Sequence, residues 1–464
     1  MRFRPHQYQQ DVLDRMLDTD KLALLLDPGM GKTAVCLEDF RIRKDLLVAR
    51  RALVVAPLRV CYSTWPAEVR KWTNFRDITI HVAHGKGKDL IATNAADIVV
   101  INPEGLKWLL ENQEDVFPFD VLYVDESTLF KNSQSKRSKA LYKIAHRMHG
   151  GIPYRFILTG TPAPNGVGDL FGQFKVLSPK ILGDTLKKFR TVYGFMPYEL
   201  ERGVIWKPTK YSETAIAKDI KPYSIRLDAT DHLDLPDIQY VRRPVRLDKK
   251  SMRLYKELEK ELYIDVKAGK VVAVNAAVAT SKCRQVANGA VYVTKFGDAY
   301  EEECRMIEWM HTAKVEDLCD FYEELGQKPV IVTYEFKHDL VQIKLGIKER
   351  FGFVPRYIGE TTDAEEDNKL IEQWNAKDLP MLLINPASVS HGLNLQAGGH
   401  HLYWYSQIWD LDKYKQLNAR LWRQGQSEGV FVHHAVAENT VDEKAYKARL
   451  KKDATQLSLL YALK

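Results

Sequence analysis

Lys32 and Thr33 close the stretch "LLLDPGMGKT" (residues 24–33), where an apolar run meets two glycines, Gly29 and Gly31. A strand ending in Leu24–Leu26 predicts a buried element, and "KTAVCLEDF" predicts a helix that starts at the lysine. The glycines let the backbone curl between the two, with N–H groups and a helix N-terminus aimed into the curl. That arrangement suits a phosphate chain. Gly29, Met30 and Gly31 would wrap it, Lys32 would add a cation, and the Thr33 hydroxyl would hold a magnesium ion. The full G-x-x-x-x-G-K-[ST] pattern is not met, because Leu26 stands where its first glycine belongs. Taken alone, the stretch also fits a plain strand–turn–helix.

Two carboxylates follow another apolar strand in "VLYVDEST" (121–128). Asp125 at the strand's C-terminal end would sit beside the phosphate loop of a neighbouring parallel strand. There it can hold the magnesium ion through water, while Glu126 polarises the water that attacks a γ-phosphate. Solvated acids at a turn are the alternative. A third strand, "FILTGTPAPN" (156–165), runs into Thr159, Gly160 and Thr161, whose hydroxyls can touch both the carboxylates and a bound backbone. Far downstream, "YKQLNARLWRQGQ" (414–426) spaces Gln416, Arg420 and Arg423 four and three apart, which predicts one shared helix face. Two guanidiniums on a packed helix can reach a γ-phosphate.

These groups need a scaffold. Short apolar runs alternate with helical stretches over 21–180 ("LALLL", "ALVVA", "ITIHVA", "DIVVI", "VLYVD", "RFILT"), and again from Pro329 ("PVIVTY", "RYIG", "PMLLIN", "HHLYWY", "GVFVHHAV"). Such alternation predicts α/β lobes, each with a parallel sheet covered by helices. Residues 181–300 read as a mostly helical middle, with "DKKSMRLYKELEKELYIDVKAGK" as a charged amphipathic helix. The C-terminal helix places Leu457, Leu460 and Tyr461 at helical spacing, which predicts packing onto a lobe. The 464 residues are 45% hydrophobic and 28% charged, as in a folded globular chain of two or three domains. No apolar run is long enough to cross a bilayer. Five scattered cysteines support neither a disulfide framework nor a zinc ribbon, and the pairs His400–His401 and His433–His434 read as strand residues, so no structural metal is expected. The net charge of +7 fits a polyanion partner.

The order of segments resembles the Swi/Snf family of DNA-translocating ATPases in helicase superfamily two, in a compact bacterial or phage-like form. "PHQYQQDVLDRML" is similar to the family's glutamine motif, which puts Gln9 against adenine. "DPGMGKT" resembles its phosphate loop. "VVAPLRVCYSTWPAEVRKW", with Arg59, Trp65, Glu68 and Trp72, and "DIVVINPEGL" resemble the next two motifs. "DESTLFKN" resembles the acidic box with its trailing Lys131–Asn132, and "LTGTPAPNGVGDLFGQFKVLSP" the third motif. The run from "IKPYSIRL" through "LPDIQYVRRPVRLDKKSMRLYKELEKEL" resembles the inserted helical region. "SVSHGLNLQAG" and "QLNARLWRQGQ" follow in family order. Two positions depart from the pattern: Thr128 stands where many members have His, and His391 replaces a small residue before "GLNL".

The resemblance implies two RecA-like lobes (1–180 and 301–464) flanking an insertion (181–300), with ATP and Mg2+ as cofactors. Lys32, Asp125, Glu126, Arg420 and Arg423 would be catalytic, the last two as arginine fingers. Gln9, Gly29, Met30, Gly31, Lys32, Thr33, Gly392 and Gln416 would bind nucleotide, with Thr33 and Asp125 on the metal. Arg59, Thr159, Gly160, Thr161, Asn165, Ser388 and Asn394 would bind DNA and couple it to the nucleotide. The implied activity is a DNA-stimulated ATPase that moves along double-stranded DNA as a monomer and remodels or displaces what is bound there. Forked or single-stranded DNA would be further ligands, and no membrane is involved. The alternatives are a helicase that separates or anneals strands on forks or RNA, and an ATP-gated clamp that does not move. The expected location is the cytoplasm of a bacterial or phage-infected cell, on the nucleoid when DNA-bound.

Overall fold

The computed structural model describes every residue except 92–95, 113, 115–117, 201–202, 262, 267–268, 273–275, 295–304, 360–363, 389–392 and 464. The chain divides into two compact units, Met1–Asp234 with Lys452–Lys464, and Leu235–Lys451.

Every apolar run of the first series becomes a strand. They are β1 (Lys21–Leu26), β2 (Ala52–Val55), β3 (Ile80–Ala83), β4 (Ile98–Ile101), β5 (Val121–Asp125) and β6 (Tyr154–Leu158). The middle of the chain adds a hairpin, β7 (Met196–Leu200) with β8 (Gly203–Lys207), and then β9 (Ser224–Leu227). The sheet order is β3-β4-β2-β5-β6-β1-β9, parallel throughout. Residues of β2, β4 and β5 are buried along their whole length, as expected of strands with helices on both faces.

The second unit holds β10 (Ile238–Val245), the hairpins β11–β12 (Tyr263–Val266, Gly269–Val272) and β13–β14 (Ala290–Thr294, Arg305–Trp309), and β15 (Val330–Thr333) to β19. The remaining strands are β16 (Arg356–Ile358), β17 (Met381–Ile384), β18 (His401–Trp404) and β19 (Val430–Ala437). Its main sheet, also parallel, runs β10-β19-β18-β15-β17-β16.

The middle stretch departs most from expectation. It forms helices, but also the hairpins β7–β8 and β11–β12, the strand β13 and the edge strands β9 and β10. Compactness places the break at 234/235, not at 180 and 300. Ile181, Leu182, Phe189, Tyr193, Ile216 and Ile220 belong to the core of the first unit, and this burial is why 181–234 goes with it. The amphipathic helix stops at Glu261, with β11 following, so it is shorter than its charge pattern suggested. The C-terminal helix Val441–Leu463 buries Leu459, Leu460 and Leu463. Leu460 packs as expected, whereas Leu457 and Tyr461 face solvent, because the buried stripe runs one position over.

Candidate nucleotide site

Strands β1, β6 and β5 lie side by side in that order, and their C-terminal ends carry the residues singled out for chemistry. Asp125 is therefore not on the strand next to the phosphate loop. The strand β6 lies between, so the Thr159-Gly160-Thr161 turn is interposed between loop and acidic box. The approach is close: a Cβ on Gly160 would lie 3.0 Å from Pro28 Cδ and 3.3 Å from the Leu26 carbonyl. Thr159 is buried, its N–H donating to Leu24 O (3.1 Å) and its hydroxyl accepting from Thr161 N (3.1 Å).

Gly29 (φ 87°) and Gly31 (φ 77°) take the left-handed conformations that the curl requires, and the helix Lys32–Asp45 starts immediately after. Lys32 Nζ turns back into the loop, donating to Leu26 O (2.8 Å) and Asp27 O (3.1 Å). Burial lowers the pKa of this ammonium, and Glu126, Asp125 and Asp27 pull it back up. Burial also raises the pKa of the Asp125 carboxyl, opposed by the Trp65 indole and by Lys32. Trp65 Nε1 donates to Asp125 Oδ2 at 3.1 Å, so this tryptophan orients the acid. Glu126 has a left-handed backbone (φ 54°) at the start of a short 3-10 turn, an unusual conformation for a non-glycine residue. Thr33 is half-buried in the helix's first turn. A hydroxyl and a carboxylate are the hard oxygen donors that magnesium takes, and left-handed glycines beside a lysine are what a phosphate chain takes, so the residues fit both.

Several side chains support the loop and the acidic box, and of these Arg226, Asp39 and Tyr123 carried no sequence signal. Gln9 Nε2 donates to Met30 O (3.1 Å) and its Oε1 accepts from His6 N, so its amide braces the phosphate loop. A Cβ on Gly31 would fall 2.4 Å from that Nε2. Arg226, on β9, pairs with Asp27 at 2.9 Å and donates to Leu25 O. Asp39 of the phosphate-loop helix pairs with Arg43 (2.9 Å) and accepts from Tyr123 of β5 (2.5 Å), bonding that helix to the acidic strand. Thr128 is buried in the 3-10 turn. Its neighbour Ser127 donates to Gln173 Oε1 (2.7 Å), and Gln173 Nε2 donates to Pro162 O (2.7 Å). This links the acidic box to the third motif. The helix bearing Gln173 comes near enough because Gly172 has no side chain; a Cβ there would meet Phe130 O at 2.3 Å. Arg59 lies half-buried in the first turn of Leu58–Lys71, and exposed Asn165 is held by Asp169 (2.8 Å).

In the second unit the helix Leu411–Leu421 carries Gln416 and Arg420 but not Arg423. Trp422 leaves the helical conformation (ψ 83°) and its indole donates to Pro236 O at 2.7 Å, so the helix ends two residues short of Arg423. Arg423 stands in the following turn and bonds to Asn394 Oδ1. Leu395 N donates to Arg420 O, and Asn375 Nδ2 to Asn394 O, so the loop around Asn394 and the two arginines form one bonded cluster. Buried Gln416 donates to Asp412 (3.1 Å). Ser388 is half-buried, while His391 and Gly392 lie outside the described residues.

The SNF2-related domain family matches residues 8–292, and the helicase conserved C-terminal domain matches 313–425. The chain belongs to the SNF2-related family. It is 34% identical to protein p41 of Acyrthosiphon pisum secondary endosymbiont phage 1, over all of this chain and 99% of that one. It is 23% identical to DNA repair and recombination protein RAD54B of Gallus gallus over 97% of this chain, but spans only 53% of that protein. The Sulfolobus solfataricus SWI2/SNF2 ATPase core in complex with dsDNA aligns over 99% of this chain and 95% of that one at 20% identity, with a TM-score of 0.46. Membership in the SNF2-related family makes the chain an ATP-hydrolysing enzyme with helicase-type domains.

Proposed function

We propose that this SNF2-related ATPase is a DNA-stimulated motor that moves along duplex DNA and remodels or displaces what is bound there. The observation that carries the reading is the bonded path from acidic box to third motif, Ser127 to Gln173 to Pro162, on a turn seated against the phosphate loop. Such a path lets the state of the phosphates be felt by a segment able to touch a nucleic-acid backbone. Lys32 and the loop N–H groups hold the β- and γ-phosphates, and Glu126 orients the attacking water. Thr33 and Asp125 would hold a magnesium ion, which would neutralise phosphate charge. Arg420 and Arg423 neutralise the charge that develops in the transition state. Arg59, Thr161, Asn165, Ser388 and Asn394 contact DNA, mostly at phosphates, so binding is tolerant of sequence and weakened by salt. The RAD54B relatives, named for DNA repair and recombination, support DNA as the track.

ATPase rates with blunt duplex, single strands and no DNA test the proposal. Duplex should raise the rate several-fold at least, and a rate indifferent to DNA would sink it. A triplex-displacement assay separates motor from clamp, since a clamp leaves the third strand in place.

A further inference from the structure

Among the described residues of the first unit the hairpin β7–β8 stands as a separate two-stranded sheet, and most of its side chains are open to solvent. Its register pairs Met196 with Lys207, Pro197 with Trp206, Tyr198 with Ile205 and Glu199 with Val204. Paired residues share a face, so Tyr198 and Ile205 point one way, Trp206 and Val204 the other. Both faces are open: Tyr198 is 48% exposed, Val204 51%, Ile205 41% and Trp206 38%. A two-stranded ribbon is marginal without a core, and exposed edges are normally guarded against sticking. Apolar side chains on both sides of one therefore point to a ligand.

Each ring carries a cation over one face and leaves the other face to a ligand. Lys207 Nζ lies 4.3 Å from the centroid of Tyr198, and the Arg190 guanidinium 5.0 Å from that of Trp206. A ring with a neighbouring cation offers a stacking surface for a base and a charge for its phosphate. The surroundings are basic too. The sequence 180–210 carries seven Lys and Arg against three Asp and Glu. That surplus of positive charge favours an anionic strand over a neutral protein face.

We propose that the β7–β8 hairpin binds unpaired DNA bases, Tyr198 and Trp206 stacking on them from its two faces, so that this ATPase engages branched or frayed DNA as well as duplex. The inference rests on the DNA-motor reading for its ligand but not for its geometry.

The test uses the full chain, as wild type, Y198A/W206A and Y198F/W206F. Its probes are a blunt duplex and the same duplex with unpaired arms carrying 2-aminopurine at the first open positions. Wild type should bind the fork more tightly and change the 2-aminopurine signal. Y198A/W206A should lose on the order of tenfold in fork affinity along with that signal. Blunt-duplex affinity and duplex-stimulated ATPase should stay within about twofold, which also shows that the variant folds, and Y198F/W206F should keep most of the fork preference. Unchanged fork binding and signal in Y198A/W206A would overturn the proposal, as would an equal loss on blunt duplex. If wild type shows no duplex stimulation yet still gives the 2-aminopurine response, the motor reading fails while the hairpin site stands.

Discussion

The first unit presents the groups proposed to bind phosphate at the ends of three adjacent parallel strands; the second presents Arg420 and Arg423 at the end of a helix. Asp125, Thr159 and the Lys32 loop inherit their positions from a sheet whose strands are buried and mutually bonded, and side chains such as Trp65 and Gln9 trim what remains. Arg420 and Arg423 have no such frame. They are half-buried, one in the last turn and one beyond it, steadied by the loop around Asn394. A strand end fixes direction to within a hydrogen bond, whereas a guanidinium on a helix end keeps the reach of its own side chain. The first arrangement holds its groups in place before any ligand arrives, whereas the second leaves its groups room to move.

The contrast can be broken most forcefully in the first unit. Lys32→Ala or Glu126→Gln should lower ATP turnover by roughly 10³-fold or more, with folding intact by circular dichroism. A variant that retained a tenth of wild-type turnover would show that the strand-end groups are not the chemical centre. Arg423→Ala should cost on the order of 10³ in kcat with little change in nucleotide affinity, because its charge counts only as the transition state forms. A rise in KM with unchanged kcat would instead make it a binding group.

Smaller effects sharpen the comparison. Gln173→Ala leaves Ser127 and the Pro162 carbonyl without their partner, and should cost about 1–3 kcal/mol of stability. It should also lower the stimulation by DNA more than the basal rate, which steady-state assays with and without duplex would resolve. The second unit carries its own pH dependence. Burial, reinforced by His400 and His433, holds His401 down to about 3, and burial with nearby Arg243 holds His433 to about 4 despite Glu324 and Asp317. Both folded values lie below the ordinary 6.5, so the neutral rings are fully tolerated above about pH 6.5 and penalise folding as pH falls toward 4. Roughly 1–2 kcal/mol per ring should be lost by pH 5, read as a lower unfolding midpoint, and His401→Gln should flatten that slope.

Much of the scaffold was legible because buried parallel strands must be continuous apolar runs. All six runs of the first series and all five of the second became strands. The strands β9 and β10 gave no such signal, since both lie at sheet edges, and β10 is mostly open to solvent. The placement of Lys32 and Thr33 at a curled loop and of Asp125 and Glu126 at a strand end was likewise readable, because both are local features. The order of strands was not. A sequence lists β1, β5 and β6 but does not say that β6 comes between the other two, and that placement brings the third motif against both partners.

Local pattern thus determined which residues form strands, where the phosphate loop turns and which groups bear charge, since each depends on neighbours within a few positions along the chain. Tertiary structure alone decided that Gln173 bridges Ser127 and Pro162, that Arg226 clamps Asp27, that Trp422 ends the helix before Arg423, and that Tyr198 and Trp206 stay in solvent. Those outcomes depend on which distant segments are packed within hydrogen-bonding reach, and periodicity holds no record of that.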